Sequence, residues 1–518
     1  MNALTRLTGL RITPKRLLIG ATFGGSAIVT YNSIDNLQDL KQIGIIRFGR
    51  AAFAVGSIVV DYKSSLRGLV EPSEEYTKTM KYCHERSARK LLDLACVNGG
   101  VFIKVGQHLA SLEYLIPLEY TDTLQVLTSR APQASKEDVE FVIETELGSK
   151  SNEIFSDFSD KPVGAASLAQ VHSARLKSTG QKVAVKVQHR RVLKNSRTDI
   201  STMQFLVKVA DAIFPEFKLM WLVEEVKKNL PNELDFLHEA KNAEEAARRF
   251  KHLRYLKIPK IFYEYSTKRV LTMEFCEGAH IDDLEYMQKH SINTRDVCTK
   301  IGRMISEMIF LQGYLHSDPH PGNVLVLHKG KGKFEIVLLD HGLYLNISDH
   351  IRKLYTDLWL SIMKPDLEGM KRVANQMGVG ELYGLFACIV TRRSWKSVTE
   401  GIVKSKLDAS ETDELRMYAA SLIPQISEVL ARMPREMLLI LKTNDLMRNL
   451  EQKLGTAGTN DTHIEMSRCV VRSSYELAYQ RANSRFVKIA TFCAMYWALF
   501  KIRIYHIYLS MYFSLSAA

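Results

Sequence analysis

The sequence is poor in the features that settle many proteins at once. Across 518 residues there is no run of about 18 consecutive strongly apolar residues, so a polytopic membrane protein is excluded on hydropathy. Seven cysteines, at Cys83, Cys96, Cys276, Cys298, Cys388, Cys469 and Cys493, form no C-x-x-C pair. An odd, scattered set argues against a disulfide scaffold and against structural zinc, and for a reducing or thiol-tolerant compartment. Internal repeats and dense basic blocks are also missing, which leaves the net charge of +13 without the tail of a nucleic-acid binder. A positive field attracts phosphate, anionic lipid and nucleic acid alike, so charge alone does not choose. With no finger spacing present, nucleic acid ranks last and an anionic organelle membrane ranks first.

What is present is a globular composition, 46% hydrophobic and 25% charged, long enough for a kinase-sized body with extensions. No acidic residue precedes Asp35, whereas Arg6, Arg11, Lys15 and Arg16 lie among Leu, Thr, Ser and Gly. Such a start is typical of mitochondrial import segments. The mildly apolar run at 17–31 is either removed with that segment or kept as an anchor. At the other end, apolar runs at 489–500 and 504–515 are split by Lys501 and Arg503. Two central charges make a spanning helix costly, so the expectation is a helix packed on the body, with an interfacial membrane contact as the sharper alternative.

Helical periodicity runs from Glu74 to Leu127, broken at Gly99-Gly100, with a second helix opening at Val101 and Lys104 and Gln107 three apart on one face. Lys136–Leu147 is a further amphipathic helix. Strand character follows: residues 168–176 and 182–187 flank Ser178-Thr179-Gly180, a hairpin signal. In the second strand Val183, Val185 and Val187 share a face, which aims Ala184 and Lys186 to the other. Residues 199–214 and 221–250 are expected to be helical, with Pro231 a break or the first residue of a new helix. Strands are expected at 270–275, 324–327 and 334–339, and helices at 294–311 and from Ser348 to about Gln480.

The chemistry lies in His316-Ser317-Asp318-Pro319-His320-Pro321-Gly322-Asn323, followed after a hairpin by Asp340-His341-Gly342. Phosphoryl transfer needs a carboxylate near the attacking oxygen, with an amide oxygen and a second carboxylate to hold magnesium on the phosphates. Asp318, Asn323 and Asp340 supply that set at the kinase H-x-D-x-x-x-x-N spacing. Each piece alone is commonplace: a lone D-x-G is usually a turn whose Asp caps a backbone N–H. Their order behind Val183-Ala184-Val185-Lys186 is hard to obtain by accident, and it makes Lys186 the phosphate-contacting lysine rather than a solvated edge residue.

Here the chain resembles the UbiB/aarF family of atypical kinases, specifically its mitochondrial branch. The matching segments are Lys104-Val105-Gly106-Gln107, Ala165-Ala166-Ser167 ahead of Leu168-Ala169-Gln170-Val171-His172, Val183 to Lys186, Glu233-Leu234-Asp235, His316 to Asn323, and Asp340-His341-Gly342. They span about residues 75–460, and the K-x-G-Q and alanine-rich segments separate this family from ordinary kinases. The resemblance implies an α+β, two-lobed protein-kinase-like fold: a targeting segment at 1–35, a helical extension at 74–150, an N-lobe at 151–280, a helical C-lobe at 281–485 and an apolar aromatic tail at 486–518. It implies ATP and Mg2+ as cofactors. Lys104 and Gln107 would face the nucleotide, while Glu233 and Asp235 would engage Lys186 and Lys104. The plain alternative for that acidic pair is a solvated helix start beside Pro231.

ATP would be covered by Val163, Gly164, Ala165, Ala166 and Ser167, in place of the glycine-rich loop, and lined by Val171 and the hinge residues Met273, Glu274 and Cys276. Alanine restricts the backbone, so this loop should be stiffer. No A-P-E follows Asp340-His341-Gly342, and little chain remains for an activation loop. His341, His316, His320 and His172 are read as scaffold, not as metal ligands.

Three functions compete. The first is an ATPase or a phosphotransferase acting on a small molecule or lipid, serving mitochondrial membrane and lipid homeostasis at the inner membrane. The second is a nucleotide-regulated scaffold for protein partners. The third, a protein Ser/Thr kinase, ranks lower because the extension would obstruct a peptide.

Overall fold

The computed structural model describes residues 44–517, except 71–72, 111–115, 129–132, 214–219, 319, 392, 401–428, 430–431 and 457–460. The proposed targeting segment at 1–35 and the run at 17–31 lie outside the described residues. The chain divides into two compact units: one comprises residues up to 110 with 118–132 and 189–227, the other 111–117, 133–188 and 228–518.

The second unit is built on a small antiparallel sheet. Its strands are β1 (Phe155–Ser156), β2 (Gly164–Ala165), β3 (Ala169–Leu176), β4 (Lys182–Gln188) and, later in the chain, β6 (Val270–Glu274). They lie in the order β1-β3-β4-β6, with β2 also paired to β3. Gly180 has φ +71°, the left-handed turn that lets β3 fold directly back into β4. Strand alternation then builds two different faces. Val183, Val185 and Val187 are buried with Val139, Val142 and Ile143 of α1 (Lys136–Leu147). On the opposite face Ala184, Leu271 and Met273 meet Phe236 and Ala240 of α2 (Phe236–Arg249). Helix α1, assigned to the extension from sequence, packs with the sheet in the second unit.

Pro231 lies inside a helix, Met220–Glu233, so it neither breaks it nor starts the next one. Helix α2 begins after Asp235, whose carboxylate accepts the Leu237 N–H at 3.0 Å as its N-cap. A second sheet has the order β5-β10-β9-β7, formed by β5 (Leu256–Lys257), β7 (Ala279–His280), β9 (Val324–His328) and β10 (Phe334–Leu338). A Cβ on Gly278 would sit 2.7 Å from the Val326 carbonyl oxygen, so only glycine lets the chain cross β9 after the hinge. A separate pair joins β8 (Tyr314–His316) to β11 (Tyr344–Asn346). The large apolar core beneath is filled by α3 (Thr294–Ser306), α4 (Asp349–Met363), α5 (Arg435–Lys453) and their neighbours. Helix α6 (Asp461–Arg481) leads to α7 (Arg485–Ala517), one continuous helix where the sequence shows two apolar runs.

In the first unit, helix Gly44–Ser65 packs on Glu74–Asn98 and Val192–Ile213. Arg47 is buried among them and forms a two-pronged ion pair with Asp199, at 2.9 and 2.5 Å. Gly106 of helix Val101–Ala110 lies so close to Leu127 that an added Cβ would be 2.4 Å from its Cδ1, and Gln107 donates to the Leu127 carbonyl at 2.8 Å. Within this unit, the Gly and Gln of K-x-G-Q thus pin one helix to the segment that follows it.

Candidate nucleotide site

Lys186 sits at the centre of β4, on the face away from the valines, and its position follows from the alternation of that strand. Its ammonium donates to both Glu239 oxygens, at 2.7 and 2.8 Å, and to Asp340 Oδ2 at 3.3 Å. Glu239 is 3% exposed and Lys186 13%. Burial works against the lysine's charge, but the Asp340 and Glu239 carboxylates hold the ammonium above the ordinary lysine range. The same burial pushes the Glu239 carboxyl up, to about 7, against the pull of Lys186.

The sequence expectation that Glu233 or Asp235 holds Lys186 is corrected. Asp235 spends its carboxylate on the N-cap of α2, and Glu233 is the last residue of the preceding helix. The partner is one turn further along, where a carboxylate on the buried stripe of α2 reaches the strand. Glu239 falls between Phe236, Ala240 and Ala243, all buried. A carboxylate inside an apolar stripe was the available signal for it.

His316 organises the loop that carries the other groups. It is buried; its Nε2 donates to the Asp340 carbonyl at 2.5 Å and its Nδ1 accepts the Asp318 N–H at 3.1 Å. One imidazole thus ties the Asp318 turn to the Asp340 turn, and burial holds its pKa below the ordinary histidine value, so it stays neutral and keeps that tautomer. Asn323 Nδ2 donates to the Asp318 carbonyl at 3.1 Å, which leaves the amide oxygen as the group able to meet a cation. Asp340 Oδ1 accepts the Gly342 N–H at 2.8 Å, fixing the carboxylate rotamer. His341 is buried too: it pairs with the Tyr344 hydroxyl at 2.9 Å and the Leu338 carbonyl at 3.0 Å, and burial drops its pKa to about 3. Its neighbour Tyr344 stacks on Tyr314 at 4.2 Å. His320 accepts the Gly322 N–H at 3.1 Å.

Register aligns the rest. Gly164 lies opposite Val171, Val171 opposite Lys186, and Lys186 opposite Leu271, a single row across the sheet. Val163 N–H donates to the Val171 carbonyl and Ala166 N–H to the Ala169 carbonyl, both at 2.8 Å, so the alanine-rich loop through Ser167 is a short hairpin. A Cβ on Gly164 would meet nothing within 4 Å, so the single glycine here is not required for backbone shape. In the hinge, Met273 is buried against Phe236, Glu274 pairs with Lys257 at 2.5 Å, and burial raises the Cys276 thiol to about 11. That thiol stays protonated and unreactive.

Among the described residues no group of three His, Cys, Asp or Glu could hold a metal by itself. A magnesium ion bound chiefly through substrate phosphates needs only one or two carboxylates, and the Asp340 carboxylate with the Asn323 amide oxygen fits that requirement. One residue that sequence reading missed completes the cluster: Lys442 of α5 lies 3.2 Å from Asp318 Oδ1.

A strand lysine paired to a buried helix glutamate, an H-x-D-x-x-x-x-N turn and a following Asp-x-Gly define a protein-kinase-like body. Comparison with known proteins gives the family. The ABC1 atypical kinase-like domain matches residues 126–374. AarF domain-containing protein kinase 1 of Gallus gallus is 46% identical over 498 residues, covering 96% of this chain and 95% of that protein. Its Mus musculus namesake is 48% identical over 462 residues, covering 89% and 87%. The ABC1 family protein MCP2 homolog of Schizosaccharomyces pombe is 38% identical over 428 residues, covering 80% and 76%. Among solved structures, a complex of Rv3197 with erythromycin from Mycobacterium tuberculosis aligns with 74% of the chain and 100% of its own, at 23% identity and a TM-score of 0.41. The chain belongs to the ABC1/AarF family of atypical kinase-like proteins.

Removing Glu239 leaves Lys186 buried with only the more exposed Asp340. Glu239→Ala is therefore expected to lower unfolding free energy in urea by about 3–5 kcal/mol, and pairing it with Lys186→Met to recover most of that loss. A single-variant loss below about 1 kcal/mol would show the pair to be peripheral.

Proposed function

We propose that the protein is an ATP-dependent enzyme, an ATPase or a phosphotransferase acting on a small or lipid-like acceptor, working at an anionic mitochondrial membrane. The observation that carries this is the Lys186 ammonium held between Glu239 and Asp340, because a lysine kept in place by Glu239 can exchange its longer Asp340 contact for phosphate oxygens. Lys186 binds the triphosphate. Asp340 and the Asn323 amide oxygen hold the metal edge of the site. Asp318 orients the attacking hydroxyl or water and takes its proton. Magnesium, when bound, neutralises charge on the phosphates.

The short path after Gly342 favours a small acceptor over a peptide and argues against control by activation-loop phosphorylation. Strand β11 starts at Tyr344 and pairs at once with β8, and Ser348 already caps α4. A nucleotide-regulated scaffold is the second reading. Replacing Asp318 by Asn separates the two, since a scaffold keeps its cellular role when nucleotide binding survives.

The mitochondrial part rests on the acid-free, basic start of the sequence. The membrane part rests on α7. That helix contains no acidic residue, and among its described side chains Phe486, Ile489, Trp497, Phe500, Ile504 and Tyr508 are all at least half exposed. Their intervals of three, four or eight residues keep them on one side of the helix as an apolar stripe, with Lys488, Lys501 and Arg503 on the same helix to meet lipid phosphates. No helix among the described residues is long and apolar enough to cross a membrane. The geometry suits a helix lying in the interface plane.

Saturating Mg-ATP at 100 times its dissociation constant should add about 2.7 kcal/mol to stability, read as a rise in Tm. Lys186→Ala and Asp340→Asn should each abolish the rise. A folded wild type with no shift removes the enzyme reading. For the membrane, the full chain should float with cardiolipin-containing vesicles at low salt, and Trp497→Glu with Phe500→Glu should leave it in the soluble fraction. Equal flotation of both proteins would show that α7 is not the contact.

A further inference from the structure

Lys186 pairs with Glu239 and Asp340, and Lys442 pairs with Asp318. Lys186 is already shared between two carboxylates. A bound triphosphate brings several further negative charges, and the transferring group spreads its charge over three equatorial oxygens. A cation beside Asp318, where the acceptor oxygen must stand, would offset that charge as it develops.

Lys442 is placed there. It comes from a different part of the chain than any of the kinase-like motifs, 124 residues beyond Asp318, and its Nζ lies 3.2 Å from Asp318 Oδ1. The helix that presents it is rigidly seated: Met437, Ile440, Leu441, Thr443, Met447 and Leu450 of α5 are buried, and Asn444 donates to the Tyr355 hydroxyl at 2.9 Å. With Asp318 48% exposed, the ion pair is too well screened by solvent to add much to stability.

We propose that Lys442 is the cation that takes the oxygens of the terminal phosphate, a lysine supplied in cis from the C-terminal helices. This rests on the reading of the site as a nucleotide site. Without nucleotide Lys442 holds Asp318. When the triphosphate is bound, the ammonium turns to the terminal phosphate. The acceptor oxygen forms the new O–P bond as the bridging P–O bond breaks; the electron pair leaves on the diphosphate, and the acceptor's proton passes to Asp318. Lys442 offsets the charge on the phosphoryl oxygens throughout.

The test compares ATP and ADP on the full chain. Dissociation constants for Mg-ATP and Mg-ADP and the hydrolysis rate are measured for wild type, Lys442→Met, Lys442→Arg and Asp318→Asn. Lys442→Met should bind ADP as wild type does, which also shows that it is folded. It should bind ATP about 10-fold more weakly and hydrolyse it about 100-fold more slowly, the scale of losing one charge-stabilising donor. Lys442→Arg should restore the preference for ATP over ADP, and Asp318→Asn should keep that preference while losing turnover. If Lys442→Met retains both the wild-type preference and the wild-type rate, the proposal is overturned while the nucleotide site stands. If wild type binds neither nucleotide, the site reading itself fails and the proposal with it.

Discussion

The second unit is arranged around one buried cation. Lys186 is held on a strand that would otherwise be apolar, and it is tolerable there only because Glu239 arrives from α2 and Asp340 from the turn after β10. An unpaired ammonium at 13% exposure would carry a desolvation cost of several kcal/mol. Three separate pieces of backbone are therefore obliged to meet. The backbone follows the same logic: Glu239 also lies 3.5 Å from the His341 N–H, and Asn242, one turn along α2, donates to the His341 carbonyl at 2.9 Å.

Around that pair, neutral polar groups do the positioning. His316 joins the two acidic turns through its two ring nitrogens, and burial keeps it uncharged. His341 occupies the position where many kinases place phenylalanine, but it is anchored by two hydrogen bonds instead of by apolar packing alone. Such a turn is more specified in direction than an apolar one, because each ring nitrogen must find its own partner. With β11 following immediately, the Asp-x-Gly turn has little freedom to swing. The consequence for function is a site closer to permanently assembled than one gated by a long activation segment.

Much of this was legible in the sequence. The alternation of Val183, Val185 and Val187 gives both the strand and the direction of Lys186, and the glycine at 180 gives the hairpin. The 318 to 323 interval, with Asp340 beyond a hairpin, gives the loop. What could not be read were partners supplied by helices distant in sequence. Glu239 sits only four residues from Asp235, yet choosing between them requires knowing which one caps α2 and which faces the sheet. Lys442 lies in a helix whose pattern reads as ordinary amphipathic surface, and only the packing of α5 brings it to Asp318. The tail was half legible: its apolar runs were visible, but a single helix with an exposed aromatic stripe depends on how α7 leaves α6.

The most direct measurement is a crystal structure of the full chain with magnesium and a non-hydrolysable ATP analogue. The account predicts phosphate oxygens on Lys186 with the Glu239 pair intact, the metal on Asp340 and the Asn323 amide oxygen, and the terminal phosphate between Asp318 and Lys442. Nucleotide bound elsewhere, or Lys186 still closed on both carboxylates at saturating analogue with nothing beside it, would contradict it.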